Sequence, residues 1–566
     1  MDEPKDGAWT RRRFLEAVGK AGGTAAVYET MVALGLLQTP GAWAGPPKIP
    51  QGTGAGKSVL VLGAGIGGLT AADMLLKAGY SCTILEAQGH AGGRNLTARR
   101  GTKVDEDIPG HGRVQQTCRF DPDLYLNLGP GRIPYHHRRM LHYCQTLNVP
   151  LEVYVMETTA NVFYGRDPKS GKEAFGGPMV NRRIANDTRG YIAELLAKAV
   201  KQGALDQELK DIDRAKLLEL LRKFGDLGYG LKEDKCPSEL DYCGSTRSGC
   251  DPATVEHPCT PPEKLGLAEL LSSEFWKFNF YQPVDYLWQP TLFQPVGGMD
   301  KIVEGFQRKI GTVIRYNAEV TRIEIHDKEV RITYRDRLHG TTHTETAHYC
   351  VSNIPLTVLK KIPANFSSDF GDAVKRSEFD PSCKVGWQAN QRFWQSDANQ
   401  IYGGISWTNQ PITQIWYPSN DWHAAKGTLT GTYNYRDNAK SFGNMLPLPR
   451  LREARTQGAR IHKELGDDRI VPLDRGISIA WQNVPFQSGA WANWEGRSQD
   501  YALLLSPDRS FFVTGDQVSQ LPGWQEGAMM SAEHVVRQIT GQLPVRLEKL
   551  QEVTAPDTRA LVEGNP

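Results

Sequence analysis

The sequence has almost no surplus charge of either sign. Its 66 lysines and arginines against 64 aspartates and glutamates leave a formal net charge of +2, so no global field argues for nucleic acid as a partner. It also lacks a convincing membrane span. The apolar stretch that ends at Leu37 is glycine-rich and carries Lys20 and Glu29, which makes it a poor spanning segment. There is no internal repeat. Nine cysteines are present, but none form CxxC pairs, and that spacing disfavours zinc. Gly56-Lys57-Ser58 imitates the end of a phosphate-binding P-loop, but Gln51 stands where the first glycine is required. What remains is a globular composition, 40% hydrophobic and 23% charged over 566 residues. That is enough chain for a large core and two or three structural domains.

The most informative stretch lies between Ser58 and Arg94. Ser58-Val59-Leu60-Val61-Leu62 is a continuous apolar run of strand length. Gly63-Ala64-Gly65-Ile66-Gly67-Gly68 follows, and Leu69 to Leu76 continues with helical periodicity. A second strand, Ser81 to Leu85, ends on Glu86. This is a dinucleotide fingerprint in its βαβ context. Gly63 permits the tight turn, Gly65 lets backbone approach a pyrophosphate, and Gly68 lets helix and strand pack closely. The helix start offers free N–H groups to phosphates. Glu86, 18 residues past Gly68, suits ribose hydroxyls. Arg94, after Gly92-Gly93, suits a diphosphate. The whole run, including Ile66, Gly67, Ala87 and Gly93, resembles the opening of the FAD-dependent amine oxidase family, whose cofactor is FAD.

The N-terminus reads separately. Thr10-Arg11-Arg12-Arg13-Phe14-Leu15 resembles the twin-arginine export motif, and Ala42-Trp43-Ala44 offers small residues at a cleavage site. The alternative is a basic amphipathic helix that stays attached. Export predicts a mature protein in the periplasm or medium, with no membrane attachment. Residues 45–57 are Pro- and Gly-rich and read as a linker.

Several residues further on carry chemistry. In Gly129-Pro130-Gly131-Arg132, the guanidinium fork of Arg132 suits a carboxylate held bidentately, or else decorates a surface turn. Residues 95–125 are polar without clear periodicity. Residues 186–225 are the clearest helical region, with one stripe at Tyr191, Ile192, Leu195, Leu196 and Ala199 and another at Ile212, Ala215, Leu218, Leu221 and Phe224. Residues 229–262 form an irregular insertion with Cys236, Cys243, Cys250 and Cys259. In an oxidising compartment these suggest disulfides, with three full pairings open. Lys384 falls in a strand-like run, as an edge solubiliser or a functional amine. Tyr433 and Val320 read alone as packed strand residues. Phe511 to Asp516 is a strand ending in an acid, and a helix starts near Gly527. The tail after Gln551 is polar and reads as disordered.

The segment Tyr125–Arg138 is similar to the Gly-Pro-x-Arg segment of the L-amino-acid oxidases within that family. The resemblance extends over most of residues 58–545 and implies the following. The fold is α/β, a Rossmann-like FAD-binding domain (58–114, 286–375 and 501–545) with an α+β substrate-binding domain (115–171 and 376–500) and a helical domain with the cysteine insertion (172–285), between a signal segment (1–44) and a tail (546–566). Arg132 and Tyr433 hold the substrate carboxylate, Lys384 holds a water near flavin N5, and the Gly523 carbonyl orients the amine. Trp481 and Trp524 wall the substrate, and Trp491 shapes the side-chain pocket. The Trp288–Asp300 segment re-enters the FAD domain. FAD contacts come further from Gly129, Pro130, Gly131, Arg132, Val320, Asp516, Trp524, Gln525, Glu526, Gly527 and Ala528, with Asp516 where the family often has glutamate. Ala490 stands where monoamine oxidases carry the flavin-tethering cysteine, so the FAD is expected to be non-covalent. The implied reaction is oxidative deamination of L-amino acids by O2 to 2-oxo acids, ammonia and hydrogen peroxide, with a homo-oligomer, dimer or tetramer, as the assembly. A decarboxylating amino-acid monooxygenase, a plain amine oxidase and a non-catalytic flavin module are the rivals.

Overall fold

The structure is a computed structural model. It describes residues 43, 45–167, 170–204, 211–229, 235–250, 254–257, 260–278, 291–544 and 553–556. The twin-arginine motif, Cys259 and residues 279–290, with the start of the expected re-entry segment, lie outside the described residues.

A five-stranded parallel sheet organises residues 49–566. Its order is Ile314–Arg315, Ser81–Leu85, Ser58–Leu62, Tyr349–Ser352, Phe511–Val513. Ser58–Leu62 is central because Val59 to Leu62 are apolar on both faces and all buried, as a doubly covered parallel strand must be. The chain leaves it toward Ser81–Leu85 on one side and finds Tyr349–Ser352 on the other. The crevice beyond the C-terminal ends of the strands is therefore a topological switch point, where open α/β sheets bind ligands. The helix Ile66–Lys77 covers the sheet. Leu69, Ala72 and Leu75 share one core with Ile302 and Phe306 of the helix Lys301–Ile310 and Met529, Ala532 and Val536 of the helix Gln525–Ile539. Burying each larger aliphatic side chain contributes about 1.5–3 kcal/mol. An antiparallel meander, Ala318–Ile325, Val330–Asp336 and Thr342–Ala347, extends this unit.

The second layer is a seven-stranded sheet ordered Met179–Val180, Val162–Tyr164, Ile405–Thr408, Gln414–Trp416, Gly427–Tyr435, Ser382–Ala389, Gly476–Ala480. Its pairings are antiparallel except that Ile405–Thr408 runs parallel to Val162–Tyr164. Ser382–Ala389 is paired on both sides and buried at all eight positions. Lys384 is therefore interior, and the edge role is excluded.

Three expectations change. Residues 95–125, which showed no periodicity, contain the antiparallel hairpin Lys103–Ile108 and Gly112–Thr117. Its inward positions are Val104, Glu106 and Ile108. The charged residue in the middle breaks the apolar alternation and is satisfied by Arg450 Nη1, 3.0 and 2.9 Å from the two carboxylate oxygens, and by Ala480 N. In the helix Asn181–Lys201 the buried face is Ile184, Gly190, Ala193, Ala197 and Val200, while Ile192 and Leu195 are exposed. The small residues face inward because the partner elements come close: a Cβ at Gly190 would lie 2.3 Å from Tyr242 Cδ2. In Asp211–Gly225 Leu221 is buried but Phe224 is exposed. Of the tail expected to be disordered, Val553 and Ala555 pack on the core and the Thr554 carbonyl accepts from Gln520 Nε2 at 2.8 Å, while residues 557–566 lie outside the described residues.

Cys236 and Cys243 form a disulfide, and Cys250 is also disulfide-bonded. The five scattered cysteines are free and buried. Among the described residues no group of three or more potential ligands is arranged to hold a metal ion, and no helix is long and apolar enough to cross a membrane.

Candidate active site

A cavity of about 710 Å³ runs from the ends of the parallel strands to the face of the seven-stranded sheet. Its first part is the glycine turn. Gly63 has φ +95°, a conformation that costs an L side chain strain. A Cβ at Gly68 would lie 2.1 Å from the Gly63 carbonyl oxygen, so this glycine permits the turn and helix to pack, as its position in the motif implied. The Asn353 carboxamide lies 2.6 Å from where a Cβ at Gly65 would fall and 2.7 Å from that of Gly67. Glu86 closes the end of its strand. Its Oε2 accepts from Ala64 N at 2.7 Å and its Oε1 from Gln88 N at 2.8 Å. Burial raises its pKa, against the pull of those backbone donors. Val320, from the meander, lines the same end.

The middle of the cavity is held by an ion pair. Arg94 places both terminal nitrogens on the Asp516 carboxylate, with one at 3.1 Å, and also donates to the Ala490 carbonyl. Asp516 Oδ2 further accepts from Gly523 N at 2.8 Å. Two residues read separately as cofactor ligands thus fix each other. They also tie the glycine segment to the strand-to-helix turn that starts Gln525–Ile539.

The far end is aromatic and cationic. Gly129 is required here, since a Cβ would lie 1.8 Å from the Arg94 carbonyl oxygen, and the turn it makes delivers Arg132 into the interior. Arg132 is buried. Its guanidinium lies over the ring of Trp416 at 4.8 Å and over that of Trp524 at 5.9 Å, and it bonds to Tyr154. Burial lowers its pKa, while Tyr154 and Tyr433 act to raise it. Lys384 Nζ donates to the carbonyls of Gly129 (2.5 Å) and Asn127 (3.3 Å). Burial first, and then the charge of Arg132, bring its pKa down to about 7. Burial pushes the Tyr433 hydroxyl up to about 12, so at neutral pH it is a hydrogen-bond donor. Trp481 Nε1 donates to the Leu128 carbonyl at 3.1 Å, and Trp491 Nε1 to Asp380 Oδ2 at 3.3 Å. The Trp524 ring meets His137 edge-on at 4.9 Å.

Every residue assigned to substrate, namely Arg132, Lys384, Tyr433, Trp481, Trp491, Gly523 and Trp524, lines this one cavity. Most of those assigned to cofactor do too. Gly68, Glu526 and Gly527 do not. Gly68 packs under the turn as described. Glu526 has its carboxylate on the start of the helix Arg138–Thr146, accepting from Met140 N at 2.9 Å and Arg139 Nη1 at 3.1 Å. Gly527 gives way to backbone, for a Cβ there would lie 2.1 Å from the Leu521 carbonyl oxygen. Sequence reasoning missed Asn353, Trp416 and Gln487, which also line the cavity, and Tyr154, which bonds to Arg132. The one usable signal was Gln414-Ile415-Trp416-Tyr417, a strand-like run beside the strands already identified.

A glycine cradle and a cationic aromatic chamber in one cavity define the class, an oxidoreductase that holds a dinucleotide beside its substrate. Residues 66–540 match the family described as flavin containing amine oxidoreductase, and the chain belongs to that family. It is similar to the flavin-dependent L-tryptophan oxidase RebO of Lentzea aerocolonigenes, with 25% identity over 85% of this chain and 98% of that one. It is also similar to an L-amino-acid oxidase of Pseudechis australis, with 23% identity over 88% and 90%. Among solved structures, a wild-type putrescine oxidase bound to putrescine superimposes with a TM-score of 0.52 at 14% identity, covering 86% of this chain and 99% of that one. The residues present fit a flavin. Gly63, Gly65 and Gly67 line the cavity where phosphates would lie, and Glu86 and the Arg94–Asp516 pair border the path from there to the aromatic end.

Proposed function

We propose that the protein is an FAD-dependent L-amino-acid oxidase, converting L-amino acids, O2 and water to 2-oxo acids, ammonia and hydrogen peroxide. The observation that carries this reading is Arg132, buried beneath two tryptophans in the chamber at the end of the cavity. A buried guanidinium in a chamber open to a ligand is best satisfied by a carboxylate. An amine without a carboxylate gives that charge nothing to bind.

The FAD would be held by Gly63, Gly65 and Gly67 at the phosphates, by Glu86 at a ribose and by Val320 near the adenine. Its attachment would be non-covalent, since Ala490 offers no thiol and no cysteine is among the described residues lining the cavity. When bound, the flavin supplies the hydride acceptor and, through O2, the route to peroxide. The protein supplies position and field. Arg132 and the Tyr433 hydroxyl hold the carboxylate, and Trp481 and Trp524 confine Cα, fixing the reacting geometry. Arg132 and Lys384 together disfavour a third cation, so the substrate amine gives its proton to bulk water on entry, binds neutral and keeps its lone pair to drive loss of the Cα hydride. Lys384, poised near neutrality, can hold or release a proton at Nζ. The imine then hydrolyses to the 2-oxo acid and ammonia.

Oxygen uptake by the purified flavoprotein against the common L-amino acids, with peroxide measured and with aliphatic diamines alongside, tests this. Peroxide formed with amino acids and not with diamines is expected. The reverse, or carbon dioxide and an amide in place of the 2-oxo acid, overturns it.

A further inference from the structure

We infer that Trp416 is a positioning residue of the chamber: one indole holds Arg132 and Lys384 in a common water-poor space and so makes the chamber prefer a carboxylate to a cation. This rests on the reading of Arg132 as the carboxylate clamp. The strand Gln414–Trp416 lies between Ile405–Thr408 and Gly427–Tyr435 in the seven-stranded sheet. Gln414 and Trp416, two apart, project to the same face, and Trp416 Nε1 donates to Gln414 Oε1 at 2.6 Å. Gln414 Nε2 in turn reaches the Tyr435 hydroxyl at 3.3 Å. The ring is thus fixed in orientation.

Four parts of the site meet it. The Lys384 ammonium is 4.4 Å and the Arg132 guanidinium 4.8 Å from its ring centroid. The Tyr433 ring meets it edge-on at 5.0 Å and 78°. The Gly131 backbone lies against it, since a Cβ there would fall 2.9 Å from Trp416 Cζ3. Two like charges buried together repel. The negative face of an indole attracts both, so Trp416 offsets the repulsion that would otherwise drive one of them out. With both retained, a carboxylate entering the chamber meets two cations. The second ammonium of a diamine meets the same two and is repelled.

The test is a binding measurement on the flavin-loaded protein, using propionate and n-propylamine as a matched anion and amine and reading flavin absorbance. Trp416→Leu should weaken propionate at least tenfold while leaving propylamine unchanged or tighter. Trp416→Phe, which keeps a π-face, should weaken propionate less than Trp416→Leu does. Gln414→Leu, which leaves the indole but frees it to turn, should raise KM for an L-amino acid more than it lowers kcat. A merely structural role would weaken both probes alike, and that result overturns the inference. Arg132→Leu run in parallel separates the two claims. If it abolishes propionate binding while Trp416→Leu and Trp416→Phe leave it intact, the inference alone fails. If Arg132→Leu leaves propionate binding unchanged, the clamp itself is misassigned. Should Trp416→Leu not fold, the Phe and Gln414 variants decide: both binding propionate like wild type overturns the proposal.

Discussion

Lys384 and Tyr433 are directly opposite one another on neighbouring antiparallel strands, and the lysine ammonium lies 4.9 Å from the centre of the tyrosine ring. A strand pairing fixes this contact, so neither residue depends on a loop for its place. Both point at the same ligand space. The proton on Lys384 and the proton on Tyr433 are therefore part of one local field, with Arg132 as its permanent charge.

That field predicts a pH dependence. The Lys384 pKa is brought down to about 7 by burial and by Arg132, whereas an unfolded lysine keeps its proton to about 10.4. Between those values the unfolded chain binds the extra proton, so this group makes the fold more stable as pH rises through the window, by at most about 1.4 kcal/mol per pH unit. Lys384→Met should remove that slope in urea denaturation at pH 7.5 and 9.5. Propionate binding should also weaken as pH rises through about 7 in the wild type, as Lys384 loses its charge, and should be flat there in the variant. An identical inflection in both proteins would assign the titration to another group.

The buried pair Glu106–Arg450 predicts a stability effect remote from the chamber. Both side chains are at most 1% exposed, and Arg450 also donates to the Phe442 carbonyl at 2.8 Å. Arg450→Leu leaves a carboxylate buried without its cation and should cost about 3–5 kcal/mol. Glu106→Gln combined with Arg450→Leu should recover part of that. Equal losses in single and double variants, by thermal or urea unfolding, would show that packing and not charge sets the cost.

The same pair shows why some of the molecule was illegible in the sequence. The Ser58–Arg94 motif could be read because its glycines, strand and acid contact one another within one βαβ unit. The hairpin around Glu106 could not, because the residue that neutralises its inward charge is 344 positions away. The helical face was misread for a related reason. Periodicity selects large residues, but Tyr242 and the neighbouring helix come close enough that Gly190, Ala193 and Ala197 take the buried positions. Trp416 is marked locally only as part of the strand-like run Gln414-Ile415-Trp416-Tyr417. Its importance lies in contacts with residues 131, 132, 384 and 433, which the fold alone brings together. The resemblance implies a cofactor contact at Glu526, and its sequence gives no sign that its carboxylate accepts from Met140 N of a different helix.

Ala490 predicts how the flavin leaves. With no thiol at that position and the Ala490 carbonyl engaged by Arg94, acid precipitation should put yellow FAD in the supernatant. Colour retained by the fully denatured pellet would mean a covalent link.

The N-terminal sequence predicts export. Arg11-Arg12 ahead of a weakly apolar stretch and Ala42-Trp43-Ala44 should give a mature chain starting near Gly45 in the periplasm or medium. Replacing Arg11 and Arg12 together with lysine should leave the precursor in the cytoplasm. Export of that variant at the wild-type level would rule out the twin-arginine route.

Arg132→Leu gives the sharpest prediction. The guanidinium is buried over Trp416 and Trp524, so a substrate carboxylate that lost it would be a buried anion short of its main partner. That should cost about 3–5 kcal/mol, or roughly two to three and a half decades in kcat/KM. Part of the loss should appear in kcat, because a carboxylate that drifts also moves Cα away from the reacting geometry. The variant should keep its flavin, since Gly63, Gly65, Gly67 and Glu86 hold the far end of the cavity. The effect should also be selective, with trace oxidation of an amine lacking a carboxylate changing far less. Flavin-loaded Arg132→Leu oxidising L-amino acids within fivefold of wild type would place the clamp on another residue.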